Sequence, residues 1–201
     1  MAHIHLPDGV IPLEYAALGW IASLTILSYS AYKFGKKFED IDKVKLSIIS
    51  AVIFVSSNIP IVGEAHLSLM PFAGIILGPY GSIIAAFIVN LFLAFIGHGG
   101  ISVVGWNSLI NGGLEALMAS LIFHILRNKM DTRYSAFIST IIPLLISTVV
   151  VASFLSVMGL GPFEEFIYVI GTMNAIVAVI ESIATAEIVR YIENVRPDMI
   201  A

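Results

Sequence analysis

The chain has 201 residues, of which 58% are hydrophobic and only 12% are charged, with a net charge of -4 and a mean hydropathy of +0.97. Soluble domains carry roughly a quarter charged residues, so this composition excludes a soluble protein and indicates an integral membrane protein. The chain has no cysteine, which excludes disulfides, iron–sulfur clusters and cysteine-based zinc sites. Any bound metal must therefore be held by nitrogen and oxygen atoms.

The first residues contain two histidines, His3 and His5, ahead of a long apolar run. We expect no signal peptide, because these residues lack its basic and apolar regions. A free α-amino group, a backbone amide and a nearby imidazole can form fused chelate rings around a metal. That planar array of nitrogen donors suits Ni²⁺ or Cu²⁺ better than Zn²⁺. The alternative interpretation is a short tail with two incidental histidines.

The basic residues predict the topology, because cytoplasmic loops of membrane proteins are enriched in Lys and Arg. They form three clusters, near residues 33–45, 127–133 and 190–196. Residues 67–97 are longer than the roughly 20 residues that one span needs, and Gly78 and Pro79 interrupt them. Two crossings that turn at residues 78–81 place every basic residue in the cytoplasm.

The predicted fold is an all-α integral membrane protein, a compact bundle of seven transmembrane helices with its N-terminus outside and its C-terminus inside. Residues 1–201 form a single domain, and residues 1–10 are its metal-binding segment. The predicted spans are about 13–32, 44–62, 66–78, 80–97, 106–126, 135–157 and 166–190.

This topology places four of the five histidines on the outer face: His3, His5, His66 and His98. Neutral imidazole is the commonest protein ligand for metals, so the distribution predicts an outward-facing metal site. His98 either orients a ligand through its other ring nitrogen or fills a glycine-rich turn. Asn107 and Asn111 either hold the N-terminal segment and its ligands in position by hydrogen bonds or cap the fifth span.

Four motifs occur in order along residues 3 to about 113. They are His5-Leu6-Pro7-Asp8-Gly9, Ile59-Pro60 through Glu64-Ala65-His66-Leu67, Gly74 through Pro79, and Gly97-His98-Gly99-Gly100 continuing to Asn107 and Asn111. In this order they resemble the nickel/cobalt substrate-capture (S) components of energy-coupling-factor (ECF) ABC transporters.

The resemblance implies a metal held by the N-terminal amine, the amide and imidazole of the second residue, and a loop histidine. Removal of Met1 would leave Ala2 followed directly by His3. The implied ligands are then Ala2, His3, His5 and His66, with His5 and His66 competing for the remaining position and either His3 or His5 as the main N-terminal imidazole.

The resemblance also implies the function and the partners. The chain would capture Ni²⁺ or Co²⁺ as cargo, with no other cofactor, in the plasma membrane of a prokaryote. Its partners would be the lipid bilayer, a transmembrane T (scaffold) protein, two cytoplasmic ATPase subunits and a small accessory membrane subunit, with no nucleic acid. We expect no enzymatic activity, since the sequence has no P-loop.

Two acidic residues at predicted membrane depth, Glu115 and Glu181, support an alternative function. Ionisable groups in a membrane are costly and often functional, so these two could serve a stand-alone cation-coupled secondary carrier. Such carriers generally contain two structural repeats, and this sequence shows no repeat.

Overall fold

The structure, a computed structural model, describes residues 5–37, 39–62 and 65–201. The described residues form six helices joined by short connections, with one small β-hairpin between the second and third helices. The helices are α1 (Leu13–Lys37), α2 (Asp40–Ser56), α3 (Met70–Phe95), α4 (Val104–Leu126), α5 (Thr132–Val157) and α6 (Phe163–Val195).

Two of the helices contain a π-helical turn, Leu109–Leu114 in α4 and Ile167–Gly171 in α6. The hairpin pairs β1 (Pro60–Val62) with β2 (Ala65–His66) in antiparallel order, and Pro60 lies opposite His66. A 3₁₀ turn follows α6 at Pro197–Met199.

The all-α membrane class is confirmed. Within the described residues, α3, α4, α5 and α6 are long and apolar enough to cross a membrane. The described residues form six helices where the sequence predicts seven, because residues assigned to two separate spans form the single broken helix α3. Residues 60–62, assigned to the second span, instead form β1.

Helix α3 is broken at Gly78, whose φ of 66° and ψ of -174° are not helical. A straight helix of 26 residues would hold its ends about 39 Å apart. The flanking residues His66 and His98 instead have their Nε2 atoms 3.2 Å apart. The chain therefore reverses direction at Gly78, and α3 starts and finishes at the same end of the bundle.

The helix break leaves one carbonyl without its usual partner. Pro79 has no N–H group, so it cannot donate to the carbonyl of Ile75 four residues earlier. The backbone N–H of Ala201 donates to that oxygen instead, at 3.2 Å. The end of the described chain thus packs beneath the first half of α3.

The first half of α3 lies at the centre of the bundle, and every residue from Met70 to Gly78 is buried. This half packs against α4 at Gly74, where a Cβ atom would lie 2.1 Å from the carbonyl oxygen of Ala116. That distance is far below van der Waals contact, so the two helix backbones approach this closely only because residue 74 has no side chain.

Replacing Gly74 by alanine should destabilise the bundle, because α3 and α4 would have to separate. We expect a loss of about 1–3 kcal/mol in the free energy of unfolding, as for other overpacked cores. Denaturant unfolding in detergent measures it. Gly35→Ala in α1 is the matched control, since a Cβ there meets nothing within 4 Å and alanine favours a helix by about 0.5–1 kcal/mol. Equal stability of the two variants would contradict the packing argument.

Candidate metal-binding site

Three histidines from separate parts of the chain converge at one end of the bundle. His5 lies in the N-terminal segment, His66 ends β2, and His98 lies in the loop after α3. Their nitrogen ligand atoms all lie within 4.8 Å of one another. The His5 ring stacks on the His66 ring with centroids 5.6 Å apart, and both rings meet His98 edge-on at 5.0 Å.

The spacing of the rings suits a shared metal ion. Two nitrogen ligands, each about 2.0–2.1 Å from a divalent ion, lie about 2.9–3.4 Å apart in square-planar or tetrahedral geometry. The Nε2 atoms of His66 and His98 are 3.2 Å apart. Without a metal, two neutral rings at this distance share one proton in a hydrogen bond, and a metal ion would take the place of that proton.

The environment keeps the His5 and His66 rings neutral. Burial, followed by repulsion from His66 and His98, lowers the pKa of His5 to about 3, against a smaller opposing effect of the Asn90 side chain. Burial and repulsion from His98 lower the pKa of His66 to about 4. At neutral pH both imidazoles therefore offer a lone pair, which is the form that binds metals.

Asn107 at the start of α4 holds the N-terminal segment against the bundle. Its Oδ1 accepts a hydrogen bond from the N–H of Leu6 at 2.8 Å, and its Nδ2 donates to the Leu6 carbonyl at 3.2 Å. The same carbonyl accepts from the N–H of Gly100 at 2.9 Å. Leu6 is thus paired on both backbone atoms, which fixes the neighbouring His5.

Asp8 makes a second attachment, at the loop before α4. Its carboxylate accepts from the N–H and the hydroxyl of Ser102 at 2.7 and 2.6 Å, and from the N–H of Ile101 at 3.1 Å. These hydrogen bonds lower the pKa of Asp8. A Cβ at Gly100 would lie 2.3 Å from the Asp8 nitrogen, so the glycine is needed for the segment to lie this close.

The structure brings together four of the residues singled out in the sequence: His5, His66, His98 and Asn107. Asn111, one turn further along α4, is also buried and lines a small cavity with Leu6 and Asn107. Ala2 and His3 lie outside the described residues.

Two contributions were missed by sequence reasoning. Asn90 is buried in the second half of α3 and opposes the lowering of the His5 pKa, and its signal was a single amide in a strongly apolar helix. The role of Asp8 was visible only as part of a motif, because its partners follow it by more than 90 positions.

Residues 5–199 match the family described as the cobalt uptake substrate-specific transmembrane region. The chain belongs to this family. It is therefore a multi-pass membrane transport component of a cobalt uptake system rather than an enzyme, which confirms the resemblance and the class of function predicted from the sequence.

Curated relatives span nearly the whole chain. A protein of Archaeoglobus fulgidus described as a fused nickel transport protein is 29% identical over 98% of this chain and 68% of its own length. A metal transport protein of Haloquadratum walsbyi is 29% identical over 98% and 93%. A cobalt transport protein of Methanococcus voltae is 26% identical over 98% and 94%.

Two solved structures share the fold. A transition metal transporter superposes with a TM-score of 0.86 at 21% identity, covering 96% of this chain and 93% of that one. A truncated transition metal transporter gives a TM-score of 0.83 at 21% identity, with 95% and 99% covered. At 21% identity this similarity shows that the chain shares the fold of the two transporters.

Asn107→Ala should release the N-terminal segment while leaving the bundle folded. Removing the side-chain acceptor of the Leu6 amide costs about 1–3 kcal/mol, so hydrogen exchange at that amide should accelerate about 5- to 150-fold. Exchange measured by mass spectrometry on N-terminal peptides tests this. Asn194→Ala, at an exposed position near the end of α6, is the control. Unchanged protection of Leu6 would show that Asn107 does not hold the segment.

Proposed function

We propose that the chain is the substrate-capture component of an ECF-type ABC transporter and binds Ni²⁺ or Co²⁺ at the outer face of the bundle for ATP-driven uptake. The observation that carries this proposal is the convergence of His5, His66 and His98 within 4.8 Å. The family supports it, and relatives are described as nickel and as cobalt transport proteins.

We assign the described ligands to the three imidazoles. His98 receives a ligand role in this proposal rather than a supporting one, because its Nε2 lies as near to His66 as a shared ion requires. Asn107 supports the site through Leu6, and Asn111 lines the cavity behind it. The resemblance adds the amine of Ala2 and the amide and imidazole of His3, which would complete a nitrogen-rich set that suits Ni²⁺ and also binds Co²⁺.

We propose that the histidine end of the bundle faces outward and that the residues before and after Gly78 act as two of seven spanning segments in one domain, with the C-terminus inside. The opposite end supports this orientation, since it carries basic residues. There Arg127 donates to the Ala201 carbonyl at 2.6 Å, and a Cβ at Gly81 would contact Phe34, next to Lys33.

The proposed partners are a T protein, two ATPase subunits and a small accessory membrane subunit. A metal held at the outer end has the buried first half of α3 beneath it, so inward release requires a large rearrangement of the bundle. Energy for that step would come from the ATPases. The rival carrier has less support, because the Glu115 and Glu181 carboxyl groups are hydrogen-bonded to Ser147 and to Ser68 and Leu69 of the chain itself.

Purified protein should bind one Ni²⁺ or Co²⁺ per chain, and the three histidines should matter most. Removing one of three or four ligands should weaken binding at least about tenfold. Even the loss of a group that only hydrogen-bonds to a ligand weakens metal affinity by about 10- to 100-fold. Isothermal titration of His5→Ala, His66→Ala and His98→Ala measures this. His124→Ala, in the last turn of α4, is the control. Full-affinity binding by the His66→Ala, His98→Ala double variant would remove the site from this position.

The pH dependence of binding should separate the two ligand sets. Folded His5 and His66 take up protons only near pH 3–4, so these two imidazoles should keep their contribution to the affinity from pH 8 down to about pH 5. An N-terminal amine with a pKa of about 7.7–8.0 would lose about tenfold in affinity per pH unit below that value. Titration calorimetry at several pH values, on free and N-acetylated chains, decides between them. If acetylation changes nothing and the profile is flat, the amine is not a ligand.

Transport should need the partners, whereas binding should not. Reconstituted alone in liposomes, the chain should bind metal without accumulating it. With a T protein and ATPases, uptake of radioactive Ni²⁺ or Co²⁺ should require ATP. If a proton gradient alone drives uptake, and Glu115→Gln or Glu181→Gln abolishes it, then the secondary carrier is the better description.

A further inference from the structure

The metal-binding loop is anchored in the bundle by a carboxylate from another helix. Glu181 of α6 is fully buried. It accepts hydrogen bonds from the N–H of Ser68 at 2.7 Å, the N–H of Leu69 at 2.9 Å and the hydroxyl of Ser68 at 3.0 Å. Both donor residues follow His66 closely along the chain, and only Leu67 lies between His66 and Ser68.

The backbone of this loop needs an external acceptor. Residues 67–69 form neither helix nor strand, and they lie just before α3, where the first N–H groups of the helix have no partner within it. Leu69 adopts the left-handed conformation, with a φ of 52°, which is costly for leucine because its Cβ comes close to the following carbonyl oxygen. Inside a membrane bundle no bulk water can satisfy such N–H groups, so a protein group must do so.

Glu181 supplies the acceptors that the backbone of this loop needs. Its two carboxylate oxygens take both backbone N–H groups, and a negative charge at the start of a helix is favoured by the helix dipole. Because Leu67 alone separates Ser68 from His66, fixing Ser68 and Leu69 leaves the His66 backbone little freedom. His66 is itself only 2% exposed.

We propose that Glu181 is the positioning residue for the metal site: it holds the loop so that the His66 ring meets His98 and His5 in ligand geometry. This inference rests on the proposed function. It assigns the intramembrane carboxyl group to the geometry of metal capture rather than to ion movement.

A second buried glutamate provides a matched comparison. Glu115 of α4 accepts hydrogen bonds from the Ser147 hydroxyl at 2.5 Å and the Ser68 hydroxyl at 3.3 Å. A hydroxyl can rotate and accept as well as donate, so glutamine can replace Glu115 with its contacts kept. A backbone N–H can only donate, so glutamine at 181 would set an NH₂ group against an N–H donor.

The experiment compares Glu181→Gln with Glu115→Gln in the full chain in detergent. Co²⁺ affinity is measured by calorimetry, and ligand geometry by the visible absorption bands of bound Co²⁺. We expect Glu181→Gln to weaken binding about 10- to 100-fold and to shift the bands. Glu115→Gln should stay within about threefold of the parent, with unchanged bands. Thermal unfolding of the metal-free variants shows whether both remain folded.

A second pair keeps the test valid if Glu181→Gln does not fold. Ser68→Ala removes one of the three hydrogen bonds to Glu181 and should shift the bands in the same direction with a smaller loss of affinity. Ser68→Thr retains the hydroxyl and should restore both. The inference is overturned if Glu181→Gln matches the parent in affinity and spectrum, if both glutamine variants lose equally, or if Ser68→Ala and Ser68→Thr behave alike.

The effects of His66→Ala and Glu181→Gln on Co²⁺ binding distinguish a failure of this inference from a failure of the proposed function. If His66→Ala leaves Co²⁺ binding unchanged, the proposed site fails and the positioning role fails with it. If His66→Ala abolishes binding while Glu181→Gln does not affect it, only the positioning role is wrong.

Discussion

Every interruption of a helix inside a membrane bundle exposes backbone groups that no water can satisfy, and the architecture of this chain follows from how it satisfies them. The loop before α3 gives its N–H groups to Glu181. The break at Gly78 leaves the Ile75 carbonyl to Ala201. The N-terminal segment, which is neither helix nor strand at Leu6, gives both backbone atoms of that residue to partners from the loop before α4 and from α4 itself.

These solutions explain why the three histidines meet. A continuous α3 would hold His66 and His98 on opposite sides of the membrane, whereas the broken helix returns them to one end. The N-terminal segment then adds His5, because Asp8 and Leu6 attach it beside the loop of His98. The candidate site is therefore built from three short segments, and its three imidazoles already lie close together in the metal-free protein.

Much of this could be predicted from the sequence. Composition gave the membrane class, and the motifs gave the family. The position of the basic residues placed the turn of α3 near Gly78, because only two crossings kept Arg127 with the other cations. The helix ends were predicted less well: α1 continues to Lys37, beyond the apolar stretch, since a helix need not end where its residues become polar. The hairpin of β1 and β2 left no periodic signal, because its strands are very short.

The role of individual polar residues was the least predictable part. From the sequence, Glu181 was interpreted as a group that could carry ions. The sequence shows a charge at membrane depth, but it does not show the N–H groups that donate to that carboxylate. Asn90 gave no signal at all beyond its polarity. For His98 the sequence left two roles open, since the distance between its ring and His66 depends on the reversal of α3. Each of these depends on tertiary contacts between residues 32 or more positions apart in the chain.

The contact between Ala201 and Ile75 ties residues 197–201 to the segment that leads to the loop of His66. If a partner protein drew residues 197–201 away, the Ile75 carbonyl would be left unpaired in the interior, at a cost of about 1–3 kcal/mol. Binding of a partner at this end of the bundle would thereby weaken the first half of α3, whose other end is Met70, next to the residues held by Glu181. Residues 197–201 thus lie where a change at one end of the bundle can alter the position of the His66 loop at the other end.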